Sequence, residues 1–148
     1  MKITDVAAGL VFRDGKLLIT QRHPEAHLGG LWEFPGGKRE RKETFEDCLV
    51  RELREELGIE VQVGKLVESL THEYPGKIVH LKFFRCEWRK HEPRTLGCAA
   101  FEWATADQLP DYAFPEADER LLAMLRRDDS LWSQELPRFE SSAGKRQR

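Results

Sequence analysis

Cysteine, long apolar runs and a dominant charge sign are all scarce or missing in this chain. The three cysteines, Cys48, Cys86 and Cys98, are odd in number and widely spaced, without a C-x-x-C pair, which argues against a disulfide framework or a zinc site. No apolar run approaches the roughly 20 residues that span a bilayer. The net charge of −2 gives no general attraction to nucleic acids or anionic membranes. We therefore expect buried free thiols, a cytoplasmic location, no membrane partner and no stable nucleic-acid binding.

The arrangement of strand and helix patterns predicts an α+β fold in one domain. Apolar and β-branched runs over 3–12, 16–22, 61–74, 78–88 and 98–103 are typical of strands. Asp14-Gly15 and Pro75-Gly76-Lys77 read as turns, 23–36 as a loop or short extended segment, and 89–97 as a polar loop. A helix is predicted from Phe114-Pro115 to about Arg127. Helices on a mixed sheet follow from this order.

The chain changes character after Arg127. We predict a domain over residues 1–127 and a C-terminal extension over 128–148, which is polar and ends in SSAGKRQR. The extension is expected to be partly disordered, or to dock through Trp132 on the domain or on a second subunit. The sequence leaves monomer and homodimer equally open.

The most informative stretch lies between Gly37 and Ile59. Thr44, followed three residues later by Asp47, resembles a capping box, and Gly58 stands where a helix C-terminus favours glycine. Between them, apolar residues recur at three- and four-residue steps and predict one buried helix face. This helix is expected to end near Leu57.

The opposite face of this helix carries Glu52, Glu55 and Glu56, whose Cβ atoms lie roughly 5–6 Å apart at this spacing. Like charges at this distance repel, and a hard cation reverses the sign of that interaction. Clustered carboxylates suit Mg²⁺ or Mn²⁺, which in turn bind phosphate oxygens. The alternative for such a glutamate-rich fragment is a solvated face with salt bridges.

The full spacing decides between these readings. Gly37, Glu43, Arg51, Glu52, Leu53, Glu55, Glu56, Gly58 and Ile59 match without a gap the signature G-x5-E-x7-R-E-U-x-E-E-x-G-U, where U is a bulky aliphatic residue. The chain thereby resembles the Nudix hydrolases. The flanking LLITQR and AHLGGLWEFPGGK resemble their MutT branch, and the likeness extends over residues 3–127. It implies the Nudix fold, an α/β/α sandwich with a mixed central sheet.

The resemblance also implies roles for individual residues. Glu52, Glu55, Glu56 and the Gly36 carbonyl would hold Mg²⁺, with Mn²⁺ possible, and Glu52 and Glu55 would be the catalytic pair, with Glu52 the preferred base. Glu43 and Arg51 would form a supporting ion pair. The substrate-binding residues it implies are Arg22, His27, Glu33, Phe34, Pro35, Gly36, Lys38 and Asp118. For several of these a plainer role stays open: Phe34 as core, His27 as a loop anchor, Lys38 as an exposed lysine and Asp118 as a helix cap.

Two positions depart from the MutT pattern. Asp118 replaces an Asn, and an ionised Asp accepts hydrogen bonds but cannot donate them, so it would suit a base edge with donors. Burial that raises its pKa would instead keep it protonated and Asn-like. Gly97 stands where relatives have a further glutamate. Glu92 and Glu102 are the nearest carboxylates, and either one, or water, would have to replace it.

The predicted function is that of a metal-dependent nucleoside triphosphate pyrophosphohydrolase. Its substrate would be a modified or noncanonical nucleotide of the 8-oxo-dGTP or CTP/5-methyl-dCTP type, as in nucleotide-pool sanitation. One alternative is a Nudix hydrolase acting on a dinucleoside polyphosphate, a nucleotide sugar or an RNA 5′ end. Another is a non-catalytic MutT-like module that reads a base. The complete glutamate cluster and the near-neutral charge argue against that last class.

Overall fold

A computed structural model describes residues 2–133. The strands are β1 (Lys2–Arg13), β2 (Lys16–Gln21), β3 (Trp32–Glu33), β4 (Gly36–Lys38), β5 (Glu60–Tyr74), β6 (Lys77–Lys90) and β7 (Ala100–Ala104). The helices are α1 (Phe45–Leu57), α2 (Glu119–Arg127) and α3 (Asp129–Ser133), with 3₁₀ turns at Ala106–Asp111 and Glu116–Asp118. Within residues 2–133, no helix is long and apolar enough to cross a membrane.

The strands form a single mixed sheet. Its order is β3-β2-β1-β6-β5, with β7 paired to β2 and β4 paired to β1. The β1–β6 pair is parallel, and the other pairs are antiparallel. Along one side β1 meets β4 at Val6–Ala8 and then β2 at Phe12–Arg13. The predicted mixed sheet is thereby confirmed.

Helices cover both faces of this sheet. Alternate side chains of β1 point to opposite faces, so Ala7 and Val11 pack with α1 whereas Leu10 and Phe12 pack with α2 and α3. Two hydrophobic cores result, one on each side. The expected α/β/α sandwich is confirmed.

The local signals at helix α1 and at the first hairpin agree with the structure. The Asp47 N–H donates to the Thr44 hydroxyl at 3.0 Å, and Gly58 closes the helix with φ of 71° while its N–H donates to the Arg54 carbonyl. Asp14 and Gly15 both have positive φ, as a tight hairpin turn requires. All three cysteines are buried free thiols, as expected.

Three predicted element boundaries are wrong. Helix α2 begins at Glu119, because Pro115 is extended (ψ 148°) and a 3₁₀ turn, with the Asp118 N–H donating to the Pro115 carbonyl, comes first. The polar loop begins after Lys90, because pairing with Glu60 prolongs β6. The following strand begins at Ala100 instead of Cys98. The segment 23–36, read as a loop or short extended segment, contains β3 and the first residue of β4.

The segment just after Arg127 packs on the sheet. Leu131 is buried, its carbonyl accepts a 2.8 Å hydrogen bond from Arg85 Nε, and Trp132 Nε1 donates to the Leu125 carbonyl at 2.7 Å. The Trp132 ring meets Phe12 edge-on, with centroids 5.2 Å apart. Residues 134–148, where most of the predicted extension falls, lie outside the described residues. The division at residue 127 stays a prediction.

Candidate active site

Arg51 is the centre of a hydrogen-bond network on α1. Its Nε and Nη2 each donate to Glu43 at 2.9 Å, its Nη1 donates to Glu52 at 2.9 Å and to Glu55 at 3.2 Å, and Nη2 also reaches the Lys38 carbonyl at 3.1 Å. The two bonds to Glu43 form the parallel fork that favours arginine over lysine. These bonds lower the pKa of Glu43 to about 2 and raise that of Arg51. Arg51 therefore ties the loop before α1 to two of the clustered glutamates.

The three glutamates of α1 have different environments. Glu55 is largely exposed, at 61% of its side chain, whereas Glu52 is 21% exposed and its carboxylate lies against Gly37. A Cβ built on Gly37 would come within 2.2 Å of that carboxylate, so a larger residue there would displace the Glu52 carboxylate. Burial raises the pKa of Glu52, against the opposing effect of Arg51. Glu52 thus combines access with a raised affinity for a proton.

Glu56 is the most buried of the three. Burial, followed by the charges of Glu33 and Glu52, raises its pKa to about 8, while a hydrogen bond from the Gly36 backbone opposes the rise. Its Oε1 is buried and has no hydrogen-bond partner among residues 2–133. Such an oxygen costs free energy unless a ligand meets it, so it fits a hard cation. Within residues 2–133, no three His, Cys, Asp or Glu side chains are already grouped as a metal cage, and Arg51 holds the two neighbouring carboxylates.

A cavity of about 350 Å³ adjoins this cluster, and we call it the nucleoside cavity. It lies against the α2 face of the sheet, where Ala8 and Phe83 form part of its floor. It brings together seven of the predicted site residues: Arg22, Glu33, Phe34, Gly36, Lys38, Glu56 and Asp118. Residues from the segment 22–38, from α1 and from the 3₁₀ turn before α2 therefore line one cavity.

The residues that line the nucleoside cavity include two chemically different groups. Gly36, Lys38 and Glu56 adjoin the glutamates and Arg51 of α1, and we call this group the phosphate end. A Cβ on Gly36 would come within 2.0 Å of the Ala7 carbonyl, so glycine is needed where β4 meets β1. We call Phe34 and Asp118 the base end. Phe34 also packs with Phe83 and Phe114 at centroid distances of 6.0 and 5.1 Å, so it serves both the core and the cavity.

Two acidic side chains, Glu33 and Asp118, line the nucleoside cavity near the base end. Arg22 donates to the Glu33 carboxylate at 3.0 Å and to the His27 carbonyl at 2.6 Å. Burial raises the pKa of Glu33, and burial together with the Glu33 charge raises that of Asp118 to about 6. Asp118 is buried and occupies the N-cap position of α2, but its side chain makes no helix-cap hydrogen bond.

Two of the predicted substrate-binding residues lie outside the nucleoside cavity. Pro35 is buried, and its carbonyl accepts a hydrogen bond from the Gly9 N–H at 2.8 Å, which fixes the chain between β3 and β4. The His27 side chain lies beside Tyr74, with ring centroids 6.4 Å apart, and lines a neighbouring cavity instead.

Comparison with known proteins places the chain in a family. The NUDIX domain model matches residues 7–124. The CTP pyrophosphohydrolase of Escherichia coli K12 is 41% identical over 127 residues, covering 82% of this chain and 90% of that protein. The 8-oxo-dGTP diphosphatase of the same strain is 38% identical over 128 residues, covering 86% and 99%. A solved MutT NUDIX hydrolase from Burkholderia pseudomallei aligns with a TM-score of 0.74 at 26% identity, covering 83% and 98%.

The chain belongs to the Nudix family. The predictions of a Nudix hydrolase and of its fold are confirmed. Nudix hydrolases generally need a divalent metal ion, in keeping with the unpartnered oxygen of Glu56.

Gly97 is the position at which the sequence resemblance leads us to expect an additional glutamate. Its N–H donates to the Glu56 carbonyl at 3.0 Å, and a Cβ built on it would lie 3.4 Å from Glu56 Cα. Neither candidate replacement lines the nucleoside cavity, and Glu92 pairs with Arg13 at 2.8 Å. Glu102 alternates with Phe101 and Trp103, which pack on the α1 side, so it faces the α2 side.

Several residues that line the nucleoside cavity of this Nudix chain are not predicted from the sequence. They are Val6, Ala8, Leu28, Tyr74, Leu81, Phe83, Pro115 and Ala117. Leu81 and Phe83 alternate along β6 and pair in register with Val6 and Ala8 on β1. That alternation was the available signal, but it identifies a buried face and cannot separate a cavity floor from a filled core.

Proposed function

We propose that this chain is a metal-dependent nucleoside triphosphate pyrophosphohydrolase that converts a modified or noncanonical nucleoside triphosphate to the monophosphate and pyrophosphate. The observation that carries this proposal is the nucleoside cavity, whose two ends suit a nucleobase and a polyphosphate. The names of the two Escherichia coli relatives, a CTP pyrophosphohydrolase and an 8-oxo-dGTP diphosphatase, support the same substrate class. Nucleotide-pool sanitation is the corresponding role.

The metal would be held by the Gly36 carbonyl and the carboxylates of Glu52, Glu55 and Glu56. Oxygen ligands of this kind favour Mg²⁺, and Mn²⁺ also suits them. Such an ion, when bound, neutralises polyphosphate charge, polarises a phosphoryl oxygen and lowers the pKa of a bound water. The buried Glu56 oxygen without a partner is the feature of the site that best fits it.

The chain's own groups would bind and orient the substrate at the phosphate end. Lys38 is exposed at the cavity rim, where its ammonium can meet phosphate oxygens as a point charge. Gly36 and Gly37 line the cavity beside it, packed closely against the Ala7 backbone and the Glu52 carboxylate. Arg51 positions Glu52 and Glu55 through its hydrogen bonds and stays bound to Glu43.

Proton transfer is assigned to Glu52. Burial raises its pKa, which makes its carboxylate a better acceptor for the proton of the attacking water than an exposed glutamate. Glu55, more exposed and bonded to the same arginine, would assist by sharing Arg51 with it. The Glu52 carboxylate stays close to the backbone of Gly37, beside the phosphate end.

At the base end, Phe34 would offer a ring edge or face, and Asp118 would meet the base edge. When ionised, Asp118 accepts hydrogen bonds only and favours an edge with N–H donors, such as an exocyclic amine. When protonated, it can also donate. With its pKa raised to about 6, both forms are populated in mildly acidic solution.

A substrate panel tests the proposal. The protein is incubated with CTP, 5-methyl-dCTP, dGTP, 8-oxo-dGTP, a dinucleoside tetraphosphate and a nucleotide sugar, each with Mg²⁺, Mn²⁺ or a chelator. We expect metal-dependent release of pyrophosphate and a nucleoside monophosphate from at least one modified or cytidine triphosphate. Release of two nucleotides from the dinucleoside tetraphosphate, with all triphosphates intact, would contradict it.

A further inference from the structure

A second cavity of about 440 Å³ adjoins the nucleoside cavity, and we call it the side cavity. Leu28, Tyr74, Pro115 and Ala117 line both cavities, so the two adjoin along these four residues, which we call the shared wall. None of the described residues that line the side cavity belongs to the phosphate end. The side cavity therefore adjoins the nucleoside cavity through residues outside the phosphate end.

The shared wall places the side cavity next to the base end. Pro115 and Ala117 immediately precede Asp118, whose side chain lines the nucleoside cavity but not the side cavity. A substituent on a base held beside Asp118 would extend past Pro115 and Ala117 towards the side cavity.

The side cavity is rich in aromatic surface. The His72 and Tyr74 rings lie 4.5 Å apart at an interplanar angle of 59°, and His27 meets Tyr74 edge-on at 6.4 Å. Glu116 contributes an acidic group to the lining, and Lys77 Nζ lies 5.4 Å from the Tyr74 ring. Rings at such angles present edges and faces to a further planar group. Aromatic groups favour edge-to-face and offset-stacked contacts of this kind.

We propose that the side cavity binds a planar aromatic group attached to the base of the substrate, so that base-arylated nucleoside triphosphates are substrates of this chain. This inference rests on the proposed function and narrows its substrate class. The reaction is unchanged: one water is consumed, one phosphoanhydride bond breaks, and pyrophosphate and the base-substituted monophosphate are released. The aryl group takes no part in the bond change.

The test compares N4-benzyl-CTP with N4-methyl-CTP, which differ by one phenyl ring. We expect the benzyl compound to have a KM about tenfold lower, the scale of an aromatic contact plus the apolar area that it buries. In His72→Ala this advantage should fall to about threefold or less. His80→Ala is the matched control, because His80 lies on the adjacent strand and faces the opposite side of the sheet from His72.

Two further measurements separate this inference from the proposed function. Calorimetry with N4-benzyl-CMP and CMP, without metal, measures the affinity gained through the side cavity independently of turnover. Tighter binding of the benzyl compound, lost in His72→Ala, would support aryl binding in the side cavity even if no triphosphate were hydrolysed, whereas that lack of hydrolysis would overturn the proposed function and, with it, the turnover of base-arylated triphosphates.

Equal or weaker binding of N4-benzyl-CMP, with CTP still hydrolysed, would overturn the inference alone. The 5′-triphosphorylated dinucleotide pppCpC and its shorter analogue pppCp provide the last comparison. A lower KM for pppCpC than for pppCp, with no benzyl advantage, would assign the side cavity to the sugar side and overturn a base-linked occupant.

Discussion

Arg51 donates two parallel hydrogen bonds to Glu43, from Nε to Oε2 and from Nη2 to Oε1, both 2.9 Å long. The remaining Nη1 is thereby aimed at Glu52 and Glu55. The ion pair inferred from the sequence as structural support thus also orients the carboxylates that we assign to metal binding and proton transfer.

Replacing Arg51 by Lys should lower kcat by at least about tenfold. Lysine keeps the charge but cannot form the fork to Glu43 and reach Glu52 at the same time. Arg54→Lys is a matched control, since Arg54 lies on the same helix and makes a similar fork to Glu60 on the surface. Steady-state kinetics of the two variants measures the difference. Equal losses would show that the Arg51 network does not position the site.

The protein should lose stability in acid as Glu43 becomes protonated and its ion pair with Arg51 is lost. Its pKa falls from the ordinary 4.5 to about 2 in the folded state, so its stabilising effect is complete above about pH 4.5 and disappears as pH falls towards 2. The difference in Tm between the wild type and Glu43→Gln should therefore shrink over that interval. A difference that stays constant from pH 6 to pH 2.5 would contradict the charged pair.

Glu52→Gln should lower kcat by at least about 10²-fold, the scale of losing a positioned proton acceptor. The amide keeps the size of the side chain and removes its basicity. Glu46→Gln, an exposed change in the first turn of the same helix, is the control and should have little effect. Activity retained in Glu52→Gln would assign the proton acceptor to another residue, with Glu55 the next candidate.

Asp118→Asn should change which base is preferred and leave metal affinity unaltered. Because the pKa of Asp118 is about 6, the base preference of the wild type should shift between pH 5 and pH 7, whereas that of Asn should not. A substrate panel at both pH values measures this. An unchanged ranking would show that Asp118 does not contact the base.

The same residue should affect stability with the opposite sign to Glu43. Burial raises the pKa of Asp118 from the ordinary 3.8 to about 6. The folded protein therefore loses stability as pH rises over this interval, because the buried carboxylate charge is unfavourable. Asp118→Asn should therefore match the wild type near pH 4 and have the higher Tm at pH 7. Thermal melts at the two pH values check the sign, and equal Tm values at pH 7 would refute it.

Leu131→Ala should lower the free energy of unfolding by about 2–5 kcal/mol, because it empties a buried leucine site. Leu96→Ala is the control, since Leu96 is 53% exposed and should cost less than about 0.5 kcal/mol. Denaturant unfolding of both variants measures the free energies. Equal small losses would support a domain that ends at Arg127, and a large loss only in Leu131→Ala would extend it through α3.

The sequence by itself determined the parts of this protein that depend on neighbours along the chain. Helix α1 is bounded by Thr44 and Gly58, and the hairpin turns at Asp14-Gly15, because caps and tight turns are made by hydrogen bonds and φ angles within a few residues. The spacing from Gly37 to Ile59 likewise identified the family, since one helix presents those side chains at fixed offsets.

Only the tertiary structure decided which distant residues share a space. Burial and the charge of Glu33 raise the pKa of Asp118 at the nucleoside cavity, and the His27 ring lies beside Tyr74 in the side cavity. Arg85 bonds the Leu131 carbonyl and holds α3 on the sheet. These contacts depend on strand register and on burial, which arise from packing between segments far apart in the chain, and no local pattern encodes them.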